Sequence, residues 1–332
     1  VMLALGVTRT VNIDIWNYWH FSLVGALVQA ASGSLLLGLA VTAVIAVYGI
    51  IVADWNAPLV EKECGLKGIS ITTLSVNGML PYAVAADRLI ERIPGVRRIS
   101  ISPKDTKSRF GILVEPVLIG VAIGALFGIL AGYEVKRILE LAINVAAVMF
   151  ILPHCGGLIG KGMEPVSLQL KGIIQRRFPK KALLYIGMDS GVIMQHPSVI
   201  VTGLLLMPIS IAIAFVLPGN RTLPLGDLAN LISVMSVIAL ATRGNVFRSV
   251  LIGIPIVVSY LLICTHLAPL YTTLSAQAGS AAVQSYAGEI TAFTDGGNPV
   301  RFWFFSLFRG SLWAIAAIPV VGLLMYFAWR NH

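Results

Sequence analysis

Asp189 and His196 are the two side chains of this sequence best suited to bind hydroxyl groups. Asp189 follows the apolar run 182–188, and His196 comes seven residues later, between Gln195 and Pro197. A carboxylate accepts hydrogen bonds from two hydroxyls, while a neutral imidazole accepts one and donates another. Because ionisable groups in apolar surroundings are usually functional, the pattern favours a site for a polyhydroxylated solute. In the alternative interpretation, Asp189 caps a helix and His196 bonds a backbone carbonyl.

A second candidate stretch, LPGNRTLPLGDLANL, lies between two apolar runs at residues 217–231. Its prolines and glycines interrupt the helical hydrogen-bond pattern and free backbone amides and carbonyls. Asn220, Gly226 and Asp227 are the candidate site residues here, and Asp227 is also placed to cap the next helix. Two interpretations stay open, a re-entrant hairpin that presents polar groups at membrane depth or an ordinary external loop.

Uncharged hydrogen-bonding side chains form a third group. They follow one another closely in the chain, as Thr72, Thr73, Ser75 and Asn77. Gln29 adds an amide within the first long apolar run. All five are candidates for contact with a polar solute, although hydroxyls and amides in apolar helices also join neighbouring helices.

A weak internal repeat relates the two halves of the chain. Residues 14–20 begin with an acid and end with a histidine, and residues 77–81 read Asn-x-x-Leu-Pro. Residues 189–196 and 220–224 repeat both features in the same order. Broken segments at corresponding positions of two halves indicate a transporter with its site at the repeat interface. Coincidence explains so short a match equally well.

Composition places most of the chain in lipid. Of the 332 residues, 57% are apolar and 12% are charged, about half the charged share of soluble domains, which excludes a water-soluble globular enzyme. The net charge of +9 comes from short basic segments between apolar runs, so we expect no nucleic-acid binding. Neither a metal site nor a disulfide framework is expected from the three widely spaced cysteines. We interpret them as free, buried thiols: Cys64, Cys155 and Cys264.

Long apolar runs indicate a polytopic helical membrane protein. Because a spanning helix needs about 20 residues, we expect seven or eight crossings. The runs are 21–53, 112–132, 138–153, 199–217, 228–242, 246–264 and 302–328.

Basic residues set the expected orientation. Segment 88–109 holds seven basic and two acidic residues, and segment 161–181 holds six basic and one acidic. Both are expected to be cytoplasmic loops, so the apolar runs between them form a helical hairpin that turns near residues 132–137. Residues 81–93, PYAVAADRLIERI, predict an amphipathic helix that either lies on the inner surface or caps the bundle.

Together these segments resemble the membrane component, enzyme IIC, of bacterial sugar phosphotransferase systems, specifically the galactitol type. No single segment is a strict signature, but their shared order extends over nearly the whole chain. They are RTVNIDIWNYWHF (9–21), ERIPGVRRI (91–99), GILAGYEVK (128–136), IGMDSGVIMQH (186–196), LPGNRTLPLGDLA (217–229), RGNVFR (243–248) and DGGNP (295–299).

The resemblance implies an all-α fold with an inverted-repeat core, two re-entrant hairpins and a V-motif-like scaffold whose N-terminal part is missing here. Residues 1–110 would form the first half of the substrate-binding core, including the amphipathic helix. Residues 111–165 would form the scaffold and dimerisation hairpin, and residues 166–332 the second half of the core. The hairpin tips would be residues 72–81 and 220–227.

The resemblance also implies a function. Such a carrier is a homodimer in the bacterial inner membrane that moves a hexitol by an elevator-like motion. The phosphocysteine of a IIB protein, itself supplied by IIA, then phosphorylates the polyol, and Asp189 or His196 would accept the hydroxyl proton. No cofactor is implied. Two alternatives remain, a cation-coupled secondary transporter of a small polar solute, with Asp189 and Asp227 as candidate ion sites, and a non-transporting membrane subunit.

Overall fold

The computed structural model describes residues 1–102, 115–177, 184–225, 227–280, 283 and 288–330. Helices make up most of this part of the chain, as the apolar runs predict. In order they are α1 (Met2–Leu5), α2 (Trp16–Ser32), α3 (Leu35–Cys64), α4 (Leu74–Asn77), α5 (Leu80–Glu91), α6 (Pro116–Leu130), α7 (Val135–Arg177), α8 (Pro197–Val216), α9 (Leu231–Val234), α10 (Ser236–Ala241), α11 (Val246–Gln277), α12 (Phe293–Gly296), α13 (Pro299–Phe308), α14 (Leu312–Ala316) and α15 (Ile318–Arg330).

Four helical segments among the described residues are long and apolar enough to cross a membrane. They are α3, α8, α11 and the segment Leu312–Arg330 formed by α14 and α15. Only 11% of the most apolar part of this last segment is buried, and Leu312 is 84% exposed. Large apolar surfaces of this kind suit contact with lipid. The mostly helical, apolar fold is confirmed, and the number of crossings stays a prediction.

A small parallel sheet corrects the prediction of an all-α fold. Its strands are β1 (Thr10–Asn12), β2 (Ile69–Ile71) and β3 (Tyr185–Met188), and β3 lies between the other two. Val11 pairs with Ile186, and Ile69 pairs with the same residue from the other side. The strands have only three or four residues, too few to show an alternating pattern that distinguishes them from the apolar helices nearby.

Gly187 allows the three strands to pack closely. A β-carbon at this position would lie 2.3 Å from the Thr72 methyl and 2.7 Å from the Thr10 methyl, closer than carbon atoms approach. At the amino edge of the sheet, Asp54 of α3 accepts hydrogen bonds from the hydroxyls of Thr8 and Thr10 at 2.9 and 2.7 Å. The sheet is therefore fixed to α3, and its carboxyl edge holds the polar residues described below.

Helices α6 and α7 form the antiparallel hairpin expected between the two basic segments. The turn contains Gly132 at φ 68°, within the predicted range. Helix α7 continues to Arg177, so the predicted loop at 161–181 is instead helical through that residue, and residues 178–181 lie outside the described part. Lysine and arginine are good helix formers, so a run of basic charge does not by itself end a helix.

Small residues on one face of α6 bring the hairpin helices into contact. Gly120 and Gly124 face Ala146 and Ala142, and a β-carbon at either glycine would lie 2.4 to 2.6 Å from an alanine Cα of α7. Close approach of this kind replaces the hydrophobic effect as the source of helix association within lipid.

Gly124→Val is expected to weaken the hairpin. The new side chain would collide with backbone atoms of α7 that cannot move independently, and overpacking of this kind typically costs about 1 to 3 kcal/mol. Thermal unfolding of the detergent-solubilised protein should show a lower Tm. The matched control is Gly162→Val on α7, because a β-carbon there meets nothing within 4 Å. An equal loss in both variants would contradict the close-packed interface.

Helix α5 covers most of the sequence predicted to be amphipathic. Its acidic residue Asp87 is 5% exposed and accepts a hydrogen bond from Arg248 of α11 at 2.9 Å. The same guanidinium nitrogen lies 3.0 Å from Glu91. Burial raises the pKa of Asp87, and the arginine partly offsets this effect. The polar side of α5 is thus joined to α11 by charged hydrogen bonds.

Candidate functional site

The carboxyl ends of the three strands bring together polar side chains from distant parts of the chain. Asp14 follows β1, Thr73 follows β2 and Asp189 follows β3, and parallel strands end at a common edge. Thr73 Oγ1 lies 2.7 Å from Asp14 Oδ2 and 3.1 Å from Asp189 Oδ2. It also accepts a hydrogen bond from the Ser190 amide at 2.9 Å. One hydroxyl therefore connects two carboxylates.

Both aspartates are held by the backbone that follows them. Asp14 Oδ1 accepts from the Trp16 amide at 2.9 Å, and Asp189 Oδ1 accepts from the Gly191 amide at 2.7 Å. An aspartate that bonds the amide two residues ahead makes a rigid local turn. The capping interpretation therefore describes one oxygen of Asp189, while its other oxygen contacts Thr73.

A cavity of about 390 Å³ opens beside Asp189. Its volume falls within the range of small-molecule sites. Two indoles border it, from Trp16 and Trp19, and Cys155 of α7 closes one side. The hydrogen-bonding side chains in its wall are His20, Thr73, Ser75, Asp189, Ser190, Asn230, Ser233 and Asp295. Acidic and hydroxyl groups beside flat aromatic faces suit a ligand with several hydroxyls on a carbon chain.

A buried arginine organises one wall of the cavity. Arg301 of α13 is 2% exposed and lies 2.6 Å from Asp295 Oδ1. The second oxygen of Asp295 accepts from the Trp19 indole at 3.0 Å. Burial, the largest single effect, would raise the pKa of Asp295, but the charge of Arg301 and the hydrogen bonds from Arg301 and Trp19, with a contribution from His20, together hold the pKa below its ordinary value. Asp295 is therefore an ionised acceptor in the cavity wall.

The same arginine fixes the tautomer of His20. An Arg301 nitrogen lies 3.1 Å from His20 Nδ1, and because a guanidinium only donates, Nδ1 is the acceptor. The ring proton of neutral His20 is then on Nε2, which lies 3.4 Å from Ser75 Oγ. The N–H of His20 is consequently directed at Ser75, and the ring has no free proton acceptor.

Three of the side chains predicted from sequence meet in this cavity: Thr73, Ser75 and Asp189. Their neighbours Thr72 and Asn77 are fully buried behind it. Thr72 donates to Asn12 Oδ1 at 2.8 Å, and Asn77 donates to the Gly49 carbonyl at 2.6 Å. These two residues therefore hold the backbone that carries Thr73 and Ser75.

Other predicted side chains lie away from the cavity. Gln29 and Gln195 are exposed. His196 begins α8 beside Glu63, and burial lowers its pKa, an effect that Glu63 partly offsets. Gly226 lies outside the described residues. The binding or catalytic roles assigned to these residues stay predictions.

Asp227 borders a separate cavity of about 600 Å³, together with Arg221 and Glu289. Two hydrogen bonds connect it to the first cavity. The Thr294 hydroxyl donates to Asp227 Oδ2 at 2.6 Å and accepts from Asn230 at 2.8 Å. Asp227 is thus connected to Asn230 in the wall of the cavity that Asp189 lines, although the two aspartates border different spaces.

Asn220 stabilises the loop before Asp227. Its amide nitrogen donates to the carbonyls of Ala214 and Thr222, both at 2.9 Å. Its oxygen accepts from the Thr222 amide at 3.1 Å and from the Thr265 hydroxyl at 3.2 Å. These partners satisfy the side chain within the loop.

Several residues in or next to this cavity belong to segments that the sequence analysis discussed, but they were not predicted to be site residues. Asp14 and His20 delimit the first half of the internal repeat, and Asp295 begins the glycine-rich turn. The missing signal was the sheet, because three strand ends that share an edge would have placed Asp14 beside Asp189. Nothing in the sequence indicated that Asn230 and Ser233 face the same space.

Comparison with known proteins identifies the family. A family model described as "PTS system sugar-specific permease component", EIIC-GAT, matches residues 1–285. The galactitol-specific EIIC component of Escherichia coli strain K12 is 36% identical over 99% of this chain and 73% of its own length, and that of strain O157:H7 matches equally. A putative permease IIC component of strain K12 is 34% identical over 98% of this chain and 72% of its own length. The chain belongs to the EIIC-GAT family, as its sequence segments suggested.

Proposed function

We propose that this EIIC-GAT family member carries a galactitol-like hexitol across the bacterial cytoplasmic membrane and presents it for phosphorylation. The observation that carries the proposal is the cavity at the strand ends, where acidic side chains, hydroxyls and two indoles surround a space of about 390 Å³. The galactitol-specific relatives match nearly the whole chain. Cavity chemistry and kinship thus point to the same class of substrate.

Asp189 is the group best placed to accept the proton of the reacting hydroxyl. It lines the cavity, and among the described residues its Oδ2 forms no salt bridge. Both ring nitrogens of His20 have protein partners, Nδ1 with Arg301 and Nε2 with Ser75, so His20 is not available as the base. His196 lies beside Glu63, away from the cavity. We therefore assign general-base catalysis to Asp189 and retain no catalytic step for His196.

The phosphoryl group comes from a phosphocysteine of the IIB partner. The substrate oxygen forms a bond to phosphorus, the phosphorus–sulfur bond breaks, and the sulfur leaves as a thiolate with the electron pair. The hydroxyl proton passes to Asp189. Positioning and electrostatics dominate such a transfer, so this chain contributes an oriented hydroxyl and a nearby carboxylate.

The partners and the larger architecture follow the same proposal. Basic residues in segments 88–109 and 161–181 would attract IIB and raise its encounter rate, an effect that salt screens. Residues 111–165 would form the scaffold of a homodimer, with residues 1–110 and 166–332 as a core that moves in an elevator-like manner. Two observations support this division: α2 and α12 both contribute to the cavity, and the hairpin borders it through Cys155.

A reconstituted phosphotransfer assay tests the function. Proteoliposomes that contain this chain, together with its cognate IIA, IIB and the general phosphotransfer proteins, should transfer label from phosphoenolpyruvate to galactitol or a related hexitol. Omission of IIB should abolish labelling. Accumulation of unmodified polyol without IIA and IIB, dependent on a proton or sodium gradient, would overturn the proposal in favour of cation-coupled transport.

A further inference from the structure

The hydroxyl of Thr73 contacts two carboxylate oxygens, but its single hydrogen can be donated to only one of them. It already accepts the Ser190 amide, and it has one hydrogen for the two carboxylates at 2.7 and 3.1 Å. If Asp14 and Asp189 were both ionised, one of these oxygen pairs would face each other with no hydrogen between them. Such a contact is repulsive, because each oxygen carries negative charge or lone pairs.

A single additional proton on Asp14 satisfies every atom of the cluster. The protonated Asp14 then donates to Thr73, which accepts from both Asp14 and Ser190 and donates to Asp189. A hydroxyl has one donor and two acceptor positions, and all three are used in this arrangement. Asp14 Oδ1 and Asp189 Oδ1 keep their backbone partners, the amides of Trp16 and Gly191.

The position of Asp14 shifts its carboxyl group toward this protonation state. Asp14 is 5% exposed and lies in the turn between β1 and α2. Burial, followed by the charge of Asp189, raises its pKa to about 6, although hydrogen bonds from Thr73 and Trp16 lower it. Burial of a carboxyl group favours its neutral form in this way.

The two carboxyl groups also border different spaces. Asp189 lines the cavity proposed to hold the polyol. Asp14 lines a separate cavity of about 310 Å³, whose wall includes Asn12 and Tyr18. Thr73 stands between the aspartates, so the cluster joins the two cavities through hydrogen bonds.

We propose that Asp14 is a positioning residue that shares one proton with Asp189 through Thr73 and releases it to the second cavity during phosphoryl transfer. The proposal rests on the function proposed above. In this arrangement the shared proton is on Asp14, and Thr73 donates its own hydrogen to Asp189. The sequence alone did not assign Asp14 a role, because its contact with Asp189 exists only at the shared strand edge.

The proton balance is complete. Asp189 receives the hydroxyl proton as the oxygen–phosphorus bond forms, and Asp14 loses its proton to water in the second cavity. Asp189 then passes a proton to Thr73 while Thr73 passes its own to Asp14, which restores the resting arrangement. The net result moves one proton from the substrate hydroxyl to the second cavity.

Asp14→Asn tests the relay. The asparagine amide donates to Thr73 and its oxygen accepts from Trp16, so the variant imitates protonated Asp14 but cannot release a proton. Calorimetric titration should give a Kd for polyol within about twofold of wild type, while steady-state phosphorylation, in which Asp189 must lose its proton after every turnover, should slow by about tenfold or more, since proton transfer by a positioned group contributes at least this factor. Equal losses of affinity and rate, or an unchanged rate, would overturn the relay.

Substitutions at Thr73 separate the relay from simple packing. Thr73→Val removes the bridging hydroxyl and should slow phosphorylation at least as much as Asp14→Asn. Thr73→Ser should recover most of that loss, because the hydroxyl is retained. Asp14→Asn combined with Thr73→Val should be no slower than Thr73→Val alone, since residues of one relay are not additive. Additive losses would overturn the shared pathway.

Infrared spectroscopy examines the shared proton without any phosphotransfer. At pH 5, below the pKa of about 6 that burial gives Asp14, the wild-type protein should show a carbonyl stretch of a protonated carboxylic acid that is missing from Asp14→Asn. Asp54→Asn is the matched control. Asp54 is the acceptor in its hydrogen bonds with Thr8, Thr10 and the Arg9 amide, so this variant should leave the band unchanged. If the band survives in Asp14→Asn, the relay is wrong. If the band behaves as expected but wild type phosphorylates no polyol, the proposed function alone fails.

Discussion

Asp189→Asn should lower the rate of polyol phosphorylation by about 10² to 10⁴, the usual contribution of a positioned general base. The asparagine oxygen can still accept the Gly191 amide, so the turn is expected to persist, but the side chain cannot take a proton. Loss of the charged acceptor should also weaken polyol binding by about tenfold. Single-turnover transfer from phosphorylated IIB measures the first effect, and calorimetric titration measures the second.

His196→Gln is the control for this variant. His196 lies beside Glu63 and does not line the cavity, so its replacement should leave both affinity and rate within about twofold of wild type. A large loss of rate in His196→Gln, with activity retained in Asp189→Asn, would reverse the assignment of the base. The two variants therefore distinguish the residues that the sequence alone could not separate.

Much of the cavity chemistry was readable from residue types in their apolar context. Asp189, Thr73 and Ser75 are polar groups at breaks between long apolar runs, and such groups need a partner or a function. The prediction could not determine which neighbours face the same space. Thr72 and Thr73 differ by one position, and the extended backbone after β2 turns one toward Asn12 and the other toward the two aspartates.

The helices followed from hydrophobicity, and the sheet did not. Apolar runs in a bilayer have few structural alternatives to helices, and two such runs between basic segments predicted the hairpin of α6 and α7. The strands β1, β2 and β3 are short and pair across more than a hundred residues of chain, since Ile69 contacts Ile186. Such pairing depends on the packing of α3 and α7 around them and has no local signal.

Two hydrogen-bonded clusters beside the cavity consist of residues that are far apart in the sequence. Asp14 and Asp189 share Thr73, while His20 and Asp295 share Arg301. In the first arrangement two carboxyl groups lie close together, and the proposed shared proton removes the repulsion between them. In the second arrangement the buried guanidinium of Arg301 compensates the charge of Asp295. Removal of that cation should therefore have a larger effect on stability than removal of any neutral side chain in the cavity.

Arg301→Met is expected to destabilise the folded protein by about 3 to 5 kcal/mol, because loss of one partner leaves a buried charge without compensation. Arg301 is 2% exposed and its partner Asp295 lies 2.6 Å away. The variant also loses the contact that fixes the His20 tautomer, so polyol binding should fall with stability. Thermal unfolding in detergent and calorimetric titration measure the two effects.

The double variant Arg301→Met with Asp295→Asn separates charge from packing. Replacement of the unpaired carboxylate by an amide should restore part of the lost stability, because neither remaining side chain is charged, while polyol binding should stay weak. Arg309→Met at the end of α13 is the control, since this exposed arginine only stacks on Phe305 and should change stability by less than about 1 kcal/mol. A double variant that is no more stable than Arg301→Met would show that the arginine stabilises the fold through packing, and the ionised state of Asp295 would then need another explanation.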